Sequence, residues 1–143
     1  MTQSLQVKIK RLDRNAVIPT YAKDGDAGMD LVATSIKFPN YKISYGTGLA
    51  IEIPVGYVGL IFPRSSIRKV DLSLCNSVGV IDSGYRGEIE VTFSRIEEQE
   101  SRYSVGDKIG QLIIMPYPQI EFEEVDELST TERGERGFGS TGA

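Results

Sequence analysis

The chain is cut into short apolar runs by turn-forming residues, and no run is long enough or periodic enough to be a helix of three turns. Leu5–Arg11 alternates Leu, Val and Ile with polar residues. Gly48–Ile53 and Tyr57–Phe62 flank a Pro54-Val55-Gly56 turn. Leu72–Cys75, Glu88–Ile96, Lys108–Tyr117 and Ile120–Val125 follow, each with strand composition and each bounded by Gly, Pro, Asn or Asp. Ser65–Val70, after Pro63, is the one place where a short helix is expected. Short strands at this spacing predict an all-β chain, a sandwich or barrel. The 143 residues suffice for one domain with a real core. The domain is expected to span residues 1–128, with a tail over 129–143.

Composition excludes several chemistries. Histidine is absent and Cys75 is the single cysteine. A Ser-His-Asp or Cys-His pair is therefore impossible, and an ordinary zinc site lacks its ligands. A general base must be a carboxylate, a Lys or a Tyr. A metal would be a hard cation held by oxygen, with Mg²⁺ bridging phosphates the commonest case. A net charge of −4 opposes general nucleic-acid binding, so a small anion must be held by local basic groups. There is no long apolar run, no signal-peptide pattern and no disulfide framework, so no membrane association is expected and a reducing, cytoplasmic setting is.

Several segments have chemical potential, each with a plainer alternative. Glu132–Gly142 holds four of the fifteen glycines, two arginines, Phe138 and the Ser140-Thr141 pair. Arg forks, free N–H groups and hydroxyls suit phosphate, and Phe138 suits a planar ligand; an unstructured chain end fits the same residues. Asn76–Gly87 lies between two strands, and Gly79, Gly84 and Gly87 permit tight turning and close backbone approach. A β-hairpin mouth there would offer backbone groups to a base edge, with Asp82 beside Tyr85. Ordinary turn chemistry explains Asp82 and Gly84 equally, but not Asn76 or Tyr85. Pro63-Arg64-Ser65-Ser66 reads as an anion site or as a helix cap. Gln111 sits within an apolar strand, facing in or out, and Asp30 stands at a strand start. No Gly-Lys-Ser/Thr phosphate loop is present.

Taken in order, these segments resemble the five motifs of the trimeric dUTP diphosphatase (dUTPase) family. The matching pieces are Ala27-Gly28-Met29-Asp30-Leu31, Pro63-Arg64-Ser65-Ser66, the stretch from Asn76 to Gly87, Gly106-Asp107-Lys108-Ile109-Gly110-Gln111-Leu112, and Arg133 to Gly142. The resemblance implies a β jelly roll assembled as a homotrimer, with three active sites at subunit interfaces and a flexible glycine-rich tail closing over each. It implies hydrolysis of dUTP to dUMP and pyrophosphate with Mg²⁺, which limits uracil in DNA and supplies dUMP for thymidylate synthesis.

By this likeness Asp82 orients and deprotonates the attacking water and touches the 3′-hydroxyl, while Gln111 helps to hold the water and the α-phosphate. Asn76 bonds the uracil edge, and the backbone of Gly79, Val80, Ile81 and Asp82 and that near Glu90 complete the readout. Tyr85 packs on the deoxyribose and leaves no room for a 2′-hydroxyl. Arg64, Ser65 and Ser66 contact phosphate, and Asp30 reaches Mg²⁺ through coordinated water. Arg133 holds the γ-phosphate, Phe138 covers the uracil, and Gly139, Ser140 and Thr141 wrap the phosphates. Ser66 stands where many members have Gly, and Arg136 has no assigned role.

Two other functions share parts of this pattern. A dCTP deaminase on the same fold would carry a Glu where Thr92 stands. A nucleotide-sensing module would use the ligand-closed tail to engage a regulatory protein partner.

Overall fold

The computed structural model describes residues 4–96, 101–137 and 139. Its strands are β1 (Lys8–Arg11), β2 (Met29–Val32), β3 (Ser35–Lys37), β4 (Lys42–Gly46), β5 (Leu49–Glu52), β6 (Tyr57–Phe62), β7 (Leu72–Leu74), β8 (Gly79–Ile81), β9 (Glu90–Arg95) and β10 (Lys108–Pro116). The helix expected after Pro63 is a single 3₁₀ segment, Ser65–Lys69. Among the described residues no helix is long and apolar enough to cross a membrane.

Two four-stranded antiparallel sheets, β2-β10-β6-β8 and β3-β4-β9-β7, form the two layers, and a β1-β5 ladder borders them. This is an all-β sandwich, as the strand spacing predicts, and it is jelly-roll-like, as the resemblance implies. Leu31, Ile61, Ile81 and Leu112 of one layer share a single core with Ile43, Tyr45, Leu74, Val91 and Phe93 of the other. β9 follows the expected alternation: Val91 and Phe93 are buried, while Glu90 and Arg95 are exposed. Tyr45 is fully buried and stacks edge-on with Phe93 and Tyr103. Burial pushes the Tyr45 phenol above its ordinary pKa, so it stays protonated and donates to the Tyr103 carbonyl at 2.7 Å.

Two strand expectations change. Ile120–Val125 has strand composition but forms no strand: the segment after Pro116 is exposed and pairs with no described strand. Asn76–Gly87 does not close as a paired hairpin. β8 pairs only with β6, whereas β9 pairs with β4 and β7 in the opposite layer. The chain therefore crosses between layers at residues 82–89, and a gap opens where β8 and β9 part.

Candidate functional site

The gap between β8 and β9 is a slot of about 230 Å³, lined by Asn76, Gly79, Val80, Ile81, Asp82, Tyr85, Glu88 and Glu90 over an apolar floor of Ile61 and Ile89. β8 is an edge strand, so its outward backbone groups remain open to a ligand. Gly79 packs closely on β6: a Cβ there would lie 3.2 Å from Ile61 Cβ. The loop after β8 is fixed by hydrogen bonds. Tyr85 N–H donates to the Asp82 carbonyl at 3.1 Å, and the Arg86 guanidinium donates to the Ser83 carbonyl at 2.6 Å. Arg86 also pairs with Glu52 at 3.5 Å. Asp82 has no ion-pair partner among the described residues.

A second cavity, about 380 Å³, lies at the other end of the same sheet and is lined by Asp26, Gly28, Asp30, Arg64, Ser65 and Gln111 among others. Charge organises it. Arg64 Nε meets Asp30 Oδ1 at 2.9 Å and Lys108 Nζ meets Asp30 Oδ2 at 3.5 Å, so both carboxylate oxygens face cations. A register shift between Lys108 and Gly110 in the β10-β2 ladder accompanies this approach. Gln111 is directly opposite Asp30 on β2 and Phe62 on β6, which settles its open phase: it faces the cavity. Its Nε2 donates to the Pro63 carbonyl at 3.1 Å. Gly28 leaves the space that this side chain fills, since a Cβ at residue 28 would sit 2.5 Å from Gln111 Oε1.

The cap alternative for Ser65-Ser66 finds no support, because the 3₁₀ segment has no side-chain cap. Ser65 lines the second cavity. The Ser66 hydroxyl instead lies 3.2 Å from the Tyr103 hydroxyl and accepts from Arg64 at 3.3 Å, steadying that guanidinium. Thr92, at the position diagnostic for the deaminase, shares a 2.9 Å hydrogen bond with Ser44 across the β4-β9 ladder.

Asn76, Asp82 and Tyr85 thus share one cavity, and Asp30, Arg64, Ser65 and Gln111 share another. One chain does not join the two sets. Ile81 opposes Gly59 at the start of β6, whereas Gln111 opposes Phe62 at its end. Asp82 and Gln111 are therefore about 13 Å apart along β6, and two strand spacings, about 10 Å, across it. Arg133 and Gly139 line neither cavity; Arg133 Nε donates to the Arg136 carbonyl at 2.8 Å and Arg136 Nε donates back to the Arg133 carbonyl. Phe138, Ser140 and Thr141 lie outside the described residues. Sequence reasoning overlooked Glu88 and Lys108 as site neighbours, because strand register and the crossing between layers bring them there.

The dUTPase family model matches residues 14–142. The deoxyuridine 5′-triphosphate nucleotidohydrolase of Corynebacterium glutamicum is 44% identical over 146 residues, covering 99% of this chain and 98% of the relative. That of Clostridium kluyveri is 41% identical, covering 96% and 99%. Among solved structures, the dUTPase of Staphylococcus bacteriophage 80alpha with dUPNHPP superimposes with a TM-score of 0.82 at 30% identity, covering 98% of this chain and all of that one. The chain belongs to the dUTPase family.

Proposed function

We infer that this protein hydrolyses dUTP to dUMP and pyrophosphate. The observation that carries the reading is the division of labour between the two cavities: a slot with open backbone, an aromatic ring and the Asp82 carboxylate, and a cavity that sets Arg64, Ser65 and Gln111 beside Asp26 and Asp30. In the slot, Asn76 and the backbone of Gly79 to Asp82 read the uracil edge, helped by the backbone near Glu90, and Tyr85 packs on the sugar. Uracil and cytosine exchange donors for acceptors at N3 and C4, so a wrong base leaves buried polar groups unpaired, which can discriminate by ~10⁴ or more. In the second cavity, Arg64 and Ser65 hold phosphate, Ser66 supports Arg64, and Gln111 aids the water.

The water oxygen forms the new bond to the α-phosphorus. The bond from that phosphorus to the bridging oxygen breaks, and pyrophosphate leaves with the electron pair. Asp82 takes the proton of the water and later returns it to solvent. A carboxylate is a modest base at neutral pH, so positioning and charge neutralisation supply most of the rate.

The donor chemistry of the second cavity suits Mg²⁺. Asp26 and Asp30 bring carboxylate oxygens to a space built for phosphate, without histidine or thiol. Both Asp30 oxygens already face cations, which favours contact through metal-bound water. When bound, Mg²⁺ neutralises charge developing on the phosphates.

The active assembly is a homotrimer in which one subunit supplies the slot and a second the phosphate cavity. Two features support this: the separation of Asp82 from Gln111 along β6, and the exposed segment after Pro116, where Phe122 is 94% and Leu128 86% accessible. Large apolar groups bared on an extended segment suit a partner subunit. Residues 1–128 form the body of each subunit and residues 129–143 a strap. The third subunit lends its strap, with Arg133 on the γ-phosphate, Phe138 over the base, and Gly139, Ser140 and Thr141 around the phosphates.

Pyrophosphate release with Mg²⁺ from dUTP, dCTP, dTTP and UTP, with the nucleoside product identified, tests the whole reading. Release from dUTP alone, giving dUMP, is expected. A uracil product from dCTP, or no release from any of the four, overturns it.

A further inference from the structure

Two glycines lie in the loop after β8, and their surroundings differ sharply. At Gly84 a Cβ would meet nothing within 4 Å. At Gly87 it would lie 2.5 Å from Tyr85 Oη, 2.7 Å from Cζ and 3.0 Å from Cε1. Neither residue has the left-handed backbone that would itself demand glycine. What Gly87 supplies is therefore space, and one specific side chain uses it.

The Tyr85 ring folds back over Gly87, and its hydroxyl donates to the Glu88 carbonyl at 2.9 Å. That carbonyl is itself anchored. The Glu88 carboxylate accepts the Gly48 N–H at 3.0 Å, and the adjoining Ile89 N–H donates to the Leu49 carbonyl at 2.8 Å. The ring is thus held at its tip by a pinned carbonyl and along its edge by a missing side chain. A Tyr ring turns about only two side-chain torsions, so it cannot keep its tip in place while its edge yields. A methyl group at residue 87 must swing the ring away from the position it takes at the rim of the slot.

We propose that Gly87 is a specificity-determining residue: by leaving the space into which Tyr85 folds, it fixes the aromatic wall that refuses a 2′-hydroxyl. The proposal rests on the reading of Tyr85 as the ring packed on the deoxyribose. Gly87 touches no substrate and acts through the ring, so it is a positioning residue.

The test measures kcat/KM for dUTP and for UTP in five proteins: wild type, Gly87→Ala, Gly84→Ala, Tyr85→Ala and the double variant Tyr85→Ala/Gly87→Ala. The ratio of the two substrates is expected to fall about tenfold or more in Gly87→Ala, within the range that one methyl-sized change in a pocket commands. Gly84→Ala is expected to stay within about twofold of wild type, as a surface change in open space. In the background without the ring, Gly87→Ala is expected to be silent, because the three atoms nearest its methyl belong to the missing ring. That comparison needs only the two ring-free proteins, so it stands even where Gly87→Ala alone fails to fold. An unchanged ratio in Gly87→Ala alongside a collapsed ratio in Tyr85→Ala overturns the proposal and leaves the sugar reading intact. An unchanged ratio in Tyr85→Ala overturns the sugar reading and the proposal with it. A further fall on adding Gly87→Ala to Tyr85→Ala shows that Gly87 acts by another route, and also overturns the proposal.

Discussion

The slot and the phosphate cavity share a sheet, β2-β10-β6-β8, as one wall, yet they are held by different forces. In the slot, position comes from backbone hydrogen bonds and from shape: Tyr85 N–H on the Asp82 carbonyl, Arg86 on the Ser83 carbonyl, and a ring folded over a glycine. In the phosphate cavity it comes from charge, with Asp30 between Arg64 and Lys108. A flat neutral base is told from its analogues by donor and acceptor pattern, which rigid backbone reads well. A polyphosphate is an anion of high charge, for which guanidinium and ammonium groups serve best. Each region nevertheless depends on one glycine that makes room for a working side chain, Gly87 for Tyr85 and Gly28 for Gln111.

Substitutions that act on one region alone sharpen this contrast. The largest effect is expected from Asp82→Asn, which keeps the slot's shape and removes its base. Turnover should fall by about 10³-fold, in the range for loss of a general base, while calorimetry with a non-hydrolysable dUTP analogue finds affinity within a few-fold of wild type. Wild-type-like turnover in that variant removes Asp82 from the mechanism. Deleting residues 133–143 should lower kcat/KM by about 10²-fold, as for loss of a closing lid, and leave the assembly mass unchanged in light scattering. Monomers after truncation place the edge of the folded body too early. Gly28→Ala comes next. Its methyl displaces Gln111, and kcat should drop by roughly 10-fold to 100-fold with KM for dUTP little changed. A raised KM with unchanged kcat would mean that Gln111 contributes to binding and not to the chemical step. Lys108→Met should have the smallest effect. Its ion pair is half-exposed and Arg64 still holds Asp30, so a few-fold loss in kcat/KM, shrinking at high salt, is the expected result.

How much of this was legible beforehand follows from which residues are neighbours in the chain. The stretch Asn76 to Gly87 could be read because its functional groups are contiguous, and Gly-rich turns mark its ends. The parting of β8 and β9 could not, since both strands have the composition of a hairpin and only their other partners separate them. β4 escaped notice because it is short: Ile43 and Tyr45 are the only large apolar residues in its five positions, and the polar Ser44 is buried between them. Its Ser44 is tolerated there because Thr92 satisfies it from the neighbouring strand. Ile120–Val125 shows the reverse: strand composition without a strand, in a segment whose apolar side chains lie bare. Lys108 joins Asp30 across a ladder with a register shift, and sequence spacing carries no trace of that contact.

The slot's two walls come from opposite layers of the sandwich: Gly79 to Ile81 from one, Ile89 and Glu90 from the entry to the other. Its width is therefore a measurement of the interlayer distance, kept by buried side chains such as Leu31 and Phe93 that line neither cavity. Fidelity toward the base is in this sense a mechanical property of the core. A variant that lets the layers breathe should begin to misread pyrimidines at temperatures where it still passes every test of being folded.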